Sequence, residues 1–159
     1  MNNLCTDIAY KSLIKYGEQL CGDMVEVIAP DEKTTVIVLA DGLGSGVKAN
    51  ILSTLTSKII STMMANAMGL EDCVSTIAAT LPVCSVRGVA YSTFTIMKIV
   101  NNEEAELIQY DNPHVILLRD GKHVDYGETA LETVSYTHLA DGFHHPGGRK
   151  SLYGPAQFK

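Results

Sequence analysis

The chain has 159 residues, of which 46% are hydrophobic, so it can bury one core and we expect a single domain. Its 12 Lys and Arg residues against 18 Asp and Glu give a net charge of -6, which argues against nucleic acid as a partner because no basic field would attract the phosphates. The N-terminus has no basic region followed by an apolar core, and uncharged stretches such as 59–70 are too short to span a bilayer, so we expect a cytoplasmic protein with no membrane insertion.

Two neighbouring strands and a long helix open the expected fold. Residues 24–28 alternate and are rich in β-formers, a turn lies at 30–33, and 34–40 is a second, more apolar strand, which together indicate a hairpin. A helix of about 20 residues begins near Val47 and ends by Gly69. Apolar residues recur in it at spacings of three and four and predict its buried face: Leu52, Leu55, Ile59, Met63 and Ala67, with Ile51, Ile60 and Met64.

A second helix and a run of strands follow. Residues 71–80 form a shorter helix with acidic residues in its first turn. Strand patterns come next, at 89–100, 104–110, 114–119 and 122–126, joined by turns rich in Asn, Asp and Gly. Strands on either side of a helix pair predict an α+β fold, in which an antiparallel sheet carries the helices on its face.

The last part of the chain differs from the rest. After Thr133 the apolar periodicity stops, and the tail that follows holds three of the five His residues. Its opening, VSYTHL, resembles one reading frame of an adapter used in sequencing-library preparation. We therefore predict a partial domain at 1–133 and an atypical tail at 134–159 that comes from an artefactual junction or is disordered. An ordinary flexible C-terminus is the alternative.

The glycine-rich turn LADGLGSG follows the second strand directly. A Walker loop requires G-x-x-x-x-G-K-[ST], but Lys48 is preceded by Val47 and followed by Ala49, so neither the glycine nor the hydroxyl is present. The dinucleotide motif G-x-G-x-x-G fails as well, because the third glycine arrives one position early, at Gly46. The turn is therefore a weak match to a nucleotide loop, and the acid before it is more informative.

That acid, Asp41, ends the apolar strand, where burial of a charged carboxylate is costly unless a cation or hydrogen-bond donors compensate. A metal ion is the economical explanation, since Gly42 lets the backbone turn and present its carbonyl oxygen to the same ion. Antiparallel pairing of the hairpin would bring Asp23 to the same end of the sheet. Such oxygen ligands favour Mg²⁺ or Mn²⁺ over zinc. On spacing alone, the alternative is a D-G turn before a helix that is N-capped by Ser45.

Four stretches of the chain resemble a known family. The bacterial stage II sporulation protein E family of serine phosphatases, within the metal-dependent protein phosphatase 2C superfamily, is similar to GEQLCGD, VIVLADGLGSGVKAN, GVAYSTFTIMKI and YDNPHVILLRDG. These stretches are spread over residues 5–125. The A-D-G-x-G-x-G-x-x-A string, combined with an upstream G-D and a downstream D-N-P, is a specific pattern.

The resemblance implies a four-layer αββα fold, in which two antiparallel sheets are flanked by helices and enclose two Mn²⁺ or Mg²⁺ ions. By that likeness Asp41 would bridge both ions, Gly42 would contribute its carbonyl, and Asp23 would supply a further carboxylate. The ions would lower the pKa of a shared water, which attacks the phosphorus of a phosphoserine or phosphothreonine directly. The implied partner is a phosphorylated protein, with a regulator of a sigma-factor pathway as the candidate substrate.

The chain departs from the family toward its C-terminus. Family members carry further acidic ligands there, so we expect the sandwich to be incomplete at this end. Ala140-Asp141-Gly142 faintly resembles the first of the missing motifs, which makes Asp141 an additional candidate metal ligand. The prediction is a metal-dependent protein serine/threonine phosphatase, weakened or inactive in this truncated form. The alternative is a non-catalytic regulatory or interaction domain of the same fold that lacks a complete metal site.

Overall fold

The computed structural model describes residues 5–81 and 92–126 in full and, for 129–131 and 134–140, the backbone alone. Its helices are α1 (Gly46–Ala65) and α2 (Leu70–Thr80). Its strands are β1 (Asp23–Asp31), β2 (Thr34–Gly42), β3 (Ser92–Val100), β4 (Glu104–Tyr110), β5 (Leu118–Arg119), β6 (Lys122–His123), β7 (Thr129–Leu131) and β8 (Val134–Ala140). Neither helix of this described part is long and apolar enough to cross a membrane.

Six strands form one sheet in the order β1-β2-β3-β4-β8-β7, and every neighbouring pair is antiparallel. Strands β5 and β6 form a separate hairpin. Helix α1 packs against β1, β2 and β3, and α2 packs against α1. The α+β class with antiparallel pairing is therefore confirmed. The described residues supply one sheet and one helix layer of the four-layer arrangement.

The hydrophobic core lies between the sheet and the two helices. Alternate residues of β2 face this core, as the period of two along a strand requires, while Leu39 and Asp41 point to the other face and are exposed. Each fully buried Val, Ile or Phe side chain stabilises the fold by roughly 1.5–3 kcal/mol. The main core residues are Val36, Val38, Ala40, Ile60, Cys73, Val74, Ile77, Phe94, Ile96 and Ile108.

Helix α1 meets the sheet through a face that only partly overlaps the predicted one. Leu55 and Ile51 are 55% and 59% exposed, so the prediction that they lie in the core was wrong, although Ile60 and Met64 are buried. Apolar residues line both sides of this helix, so their spacing does not select one side. Small residues let the helix backbone approach the sheet closely, and they make up most of the buried set: Gly46, Ala49, Ser53, Thr56, Ser57, Ile60, Ser61 and Met64.

The strands after β4 are shorter than predicted, and the sheet continues into the first residues of the predicted tail. The strand expected at 114–119 is reduced to β5, because the Gln109 side chain donates to the Pro113 carbonyl (2.6 Å) and accepts from the Val115 N–H (3.4 Å). The backbone of 134–140, the beginning of the predicted tail, forms β8 beside β4. Alternation in VSYTHLA is the local signal for this strand. The origin of the tail stays a prediction.

Candidate functional site

The two predicted metal-binding carboxylates lie next to each other at one end of the β1–β2 hairpin. Asp23 is the first residue of β1, and the strand register places it directly opposite Asp41, near the end of β2. Residues paired in this way point to the same face of a sheet, with Cβ atoms about 4.5–5.5 Å apart. The fold therefore brings together two acids that are widely separated in the sequence.

The environment of Asp41 disfavours its charged form. Its side chain is exposed on the open face of the sheet, so the burial expected from the sequence was wrong. Partial desolvation nevertheless raises the pKa of Asp41, and the negative charge of Asp23 and a hydrogen bond with the Asp23 carboxyl group raise this pKa further. A divalent cation beside the two carboxylates would lower this pKa, because its positive charge offsets the repulsion between them.

Gly42 lies where β2 meets the first turns of α1. A Cβ at this position would lie 2.7 Å from the carbonyl carbon of Ala49 and 2.9 Å from its Cα, distances that real Cβ atoms do not show. The N–H of Gly42 donates to the carbonyl of Gly22 at 3.1 Å. Close packing of the strand against the helix therefore requires glycine here, independently of any ligand role for its carbonyl.

An open cleft of about 270 Å³ lies beside these residues. It is lined by residues 41–44 at the end of β2, by Ser92 and Thr93 at the start of β3, and by Asp111 after β4. Asp111 was interpreted from the sequence only as part of a turn. The sequence signal for its position was the D-N-P motif, because this motif follows β4, and β4 and β2 end at the same end of the sheet.

A polar network holds the loop that carries Asp111. Thr93 Oγ1 donates to Asn112 Oδ1 at 2.6 Å, and Asn112 Nδ2 donates to Thr95 Oγ1 at 2.9 Å. Asn112 therefore joins the D-N-P turn to β3, and Thr93 is the residue of β3 opposite Asp41. Asp111 itself has a left-handed φ of 54°, which turns the chain sharply at the rim of the cleft.

The N-terminus of α1 is already occupied by a carboxylate of the protein. Ser45 is the N-cap residue, but its side chain makes no capping bond and instead donates to Glu18 Oε1 at 2.7 Å. The Glu18 carboxylate also lies against Gly46, whose φ of 67° is left-handed. The Ser45 side chain therefore contacts the segment that precedes β1 and does not make the capping bond of the alternative D-G turn.

The described residues suit a divalent ion in donor type but supply only part of a ligand set. Two carboxylates and a backbone carbonyl are hard oxygen donors of the kind that Mg²⁺ and Mn²⁺ prefer. Within residues 5–81 and 92–126, no group of three or more His, Cys, Asp or Glu side chains is placed to hold a metal ion. The remaining candidate, Asp141, lies outside the described residues.

Comparison with known families identifies the group to which the chain belongs. Residues 31–134, more than half of the chain, match the family described as Stage II sporulation protein E (SpoIIE). The chain belongs to this family. The matched range contains Asp41, Gly42 and the D-N-P turn, so the resemblance seen in the sequence is confirmed. No curated protein sequence is significantly similar to the chain.

Solved structures share the fold at low sequence identity. The PP2C phosphatase domain of SpoIIE from Bacillus subtilis, solved with a fragment of its regulatory domain, matches with a TM-score of 0.70 and 15% identity over 82% of this chain and 40% of that one. RsbX in complex with magnesium matches with a TM-score of 0.52 and 24% identity over 64% of this chain and 48% of that one. The RsbU and RsbW domains of a Mycobacterium tuberculosis protein match with a TM-score of 0.52 and 14% identity over 64% and 28% of the two chains. The chain thus spans less than half the length of each of these structures, and it shares the PP2C-type phosphatase fold with them.

Proposed function

We propose that the protein is a metal-dependent protein serine/threonine phosphatase. The observation that carries this proposal is the in-register pair Asp23 and Asp41, adjacent to Gly42 at a cleft in a PP2C-type fold. The two carboxylates are proposed to hold two Mn²⁺ or Mg²⁺ ions, with the Gly42 carbonyl and Asp141 as further ligands. The magnesium in the RsbX structure supports the choice of ion.

Each residue has a defined task in this proposal. Asp41 and Asp23 provide the negative charge that binds the ions, and their separate strands fix the distance between them. When bound, the ions supply a water of lowered pKa and offset charge on the phosphate oxygens. The cleft lined by residues 41–44 admits the phosphate group from the open side. No side-chain nucleophile is required, because water attacks the phosphorus directly.

A chromogenic phosphate ester tests the activity. The 159-residue chain should show weak hydrolysis of p-nitrophenyl phosphate that requires added Mn²⁺, and Asp41→Asn should reduce the rate on the order of 100-fold, since it removes one ligand charge without changing side-chain size. Asp31→Asn is the matched control, because Asp31 lies at the opposite end of the same hairpin. Asp31→Asn should retain the wild-type dependence on Mn²⁺.

The opposite result would favour the alternative function. If the chain neither hydrolyses the ester nor binds Mn²⁺ in calorimetry, the phosphatase proposal fails. A non-catalytic regulatory or interaction domain of the same fold then becomes the better description. Equal loss of activity in Asp31→Asn and Asp41→Asn would also count against the proposed metal site, since only one of these residues lies at the cleft.

The proposed substrate is a phosphorylated protein that regulates a sigma-factor pathway. Support comes from membership of the SpoIIE family and from the structural likeness to RsbX and to part of a structure that contains RsbU and RsbW domains. Phosphate release from matched phosphoserine and phosphotyrosine peptides tests the substrate class. Faster release from the phosphoserine peptide is expected, and preference for phosphotyrosine would contradict the assignment.

A further inference from the structure

The peptide group that joins Asp41 to Gly42 is held at both of its polar ends. Its carbonyl oxygen accepts a hydrogen bond from Ser92 Oγ at 2.9 Å. Its N–H donates to the carbonyl oxygen of Gly22 at 3.1 Å. Gly22 immediately precedes β1 and Ser92 begins β3, so this peptide is hydrogen-bonded on both sides of β2. The peptide plane cannot rotate without breaking one of the two bonds.

Ser92 is well placed to act on this peptide. It is 1% exposed, lies opposite Gly42 in the register of β2 and β3, and forms part of the wall of the cleft. A buried hydroxyl needs a partner, because leaving it or its acceptor unpaired costs about 1–3 kcal/mol. Among the described residues its best-placed acceptor is the Asp41 carbonyl at 2.9 Å, since its hydrogen bond to the Thr93 carbonyl is longer at 3.4 Å.

The Asp41–Gly42 peptide controls two of the groups proposed to bind metal. Rotation of its plane would move the Asp41 carboxylate and the Gly42 carbonyl relative to each other, because the two residues share this peptide. Groups that hold ligands in place in this way typically change metal affinity by 10- to 100-fold when they are removed. We propose that Ser92 is a positioning residue, which fixes this peptide so that Asp41 and Gly42 keep the arrangement needed for metal binding. This inference rests on the proposed function.

Ser92→Ala tests the inference through two measurements. Amide hydrogen exchange at Gly42, followed by NMR without metal, should become about five- to tenfold faster, because the hydrogen bond from Ser92 to the Asp41 carbonyl is lost. Mn²⁺ binding, measured by calorimetry, should weaken by about tenfold or more. Ser57→Ala is the matched control, since Ser57 is also fully buried and donates to a backbone carbonyl, that of Thr54, at 3.1 Å within α1. It should change neither measurement.

The outcomes separate this inference from the proposed function. If the wild-type chain binds Mn²⁺ and Ser92→Ala binds it equally well, the positioning role is wrong and the phosphatase proposal stands. Unchanged exchange at Gly42, or an equal loss in Ser57→Ala, would also overturn the role. If the wild-type chain binds no Mn²⁺, the proposed function fails and the inference fails with it.

A second variant covers the case in which Ser92→Ala does not fold. Ser92→Cys keeps a side chain of similar shape with a weaker hydrogen-bond donor. Its Mn²⁺ affinity should fall below that of the wild type, with faster exchange at Gly42. Wild-type values in both measurements would overturn the positioning role.

Discussion

Substitution of Gly42 by alanine should strongly destabilise the fold, whether or not metal is bound. The new Cβ would lie 2.7 Å from the carbonyl carbon of Ala49 and 2.9 Å from its Cα, compared with 3.4 Å or more in ordinary contacts. Because these neighbours are backbone atoms of α1, no flexible side chain can move aside. The end of β2 and the start of α1 must therefore separate by roughly 1 Å, which places the change at the upper end of overpacking costs, about 3 kcal/mol.

Urea unfolding followed by circular dichroism in the presence of EDTA measures this loss without a metal contribution. In thermal unfolding, a loss of about 3 kcal/mol corresponds to a decrease in Tm of about 6–12 °C for a chain of this length. Gly69→Ala is the control, because the nearest described atom to its new Cβ would be Asp72 Oδ2, at an ordinary contact distance of 3.4 Å, and its φ is -59°. It should cost about 1 kcal/mol or less. Equal stability of the two variants would refute the steric argument.

Three further predictions concern the Asp23–Asp41 pair, the buried face of α1 and the hydrogen bonds of Asn112. In metal-free protein, the pKa of Asp41 should lie above 3.8 and decrease in Asp23→Asn, as measured by ¹³C NMR titration; an unchanged pKa would show that the pair does not interact. Because its pKa is raised in the folded state, Asp41 lowers stability at neutral pH, and this cost disappears as the pH falls through the folded-state pKa toward the unfolded value. Ile60→Ala should cost about 2–5 kcal/mol in urea unfolding, whereas Leu55→Ala should cost less than about 1 kcal/mol, and equal losses would contradict the assigned helix face. Asn112→Ala breaks the bonds to both threonines of β3 and should cost about 1–3 kcal/mol, so a neutral effect would show that the network does not hold the loop.

The features predicted correctly from the sequence depend on local patterns. The alternation of residues 24–28, the short turn at 30–33 and the apolar run at 34–40 are enough to pair two strands. Asp41 and Asp23 could therefore be placed at one end of the sheet before any coordinates were known. The glycine-rich string beside Asp41, together with the D-N-P motif, carried the resemblance to the family that the comparison then confirmed.

The features that were missed depend on contacts between distant parts of the chain. The spacing of apolar residues in α1 selects no single face, and the helix packs through small residues that a hydrophobic pattern does not identify. The position of Asp111 at the cleft follows from the pairing of β3 with β4 and from the bonds made by Asn112. The approach of Glu18 to Ser45 joins two segments with no common motif. Apart from the D-N-P motif at Asp111, these contacts have no local signal in the sequence.

A bulge in β1 determines whether the two acids face each other. At the turn, Asp31 pairs with Thr34, and this register would place Asp23 opposite Gly42 if it continued along the hairpin. The register shifts by one residue between Ile28 and Asp31, a segment that contains Pro30, so that Asp23 pairs with Asp41 instead. A shift of one residue moves every side chain of a strand to the other face. Without the extra residue, the two carboxylates would lie on opposite faces of the sheet and could not share an ion. The irregularity at Pro30 therefore aligns the two carboxylates from a distance, because it lies at the opposite end of the hairpin.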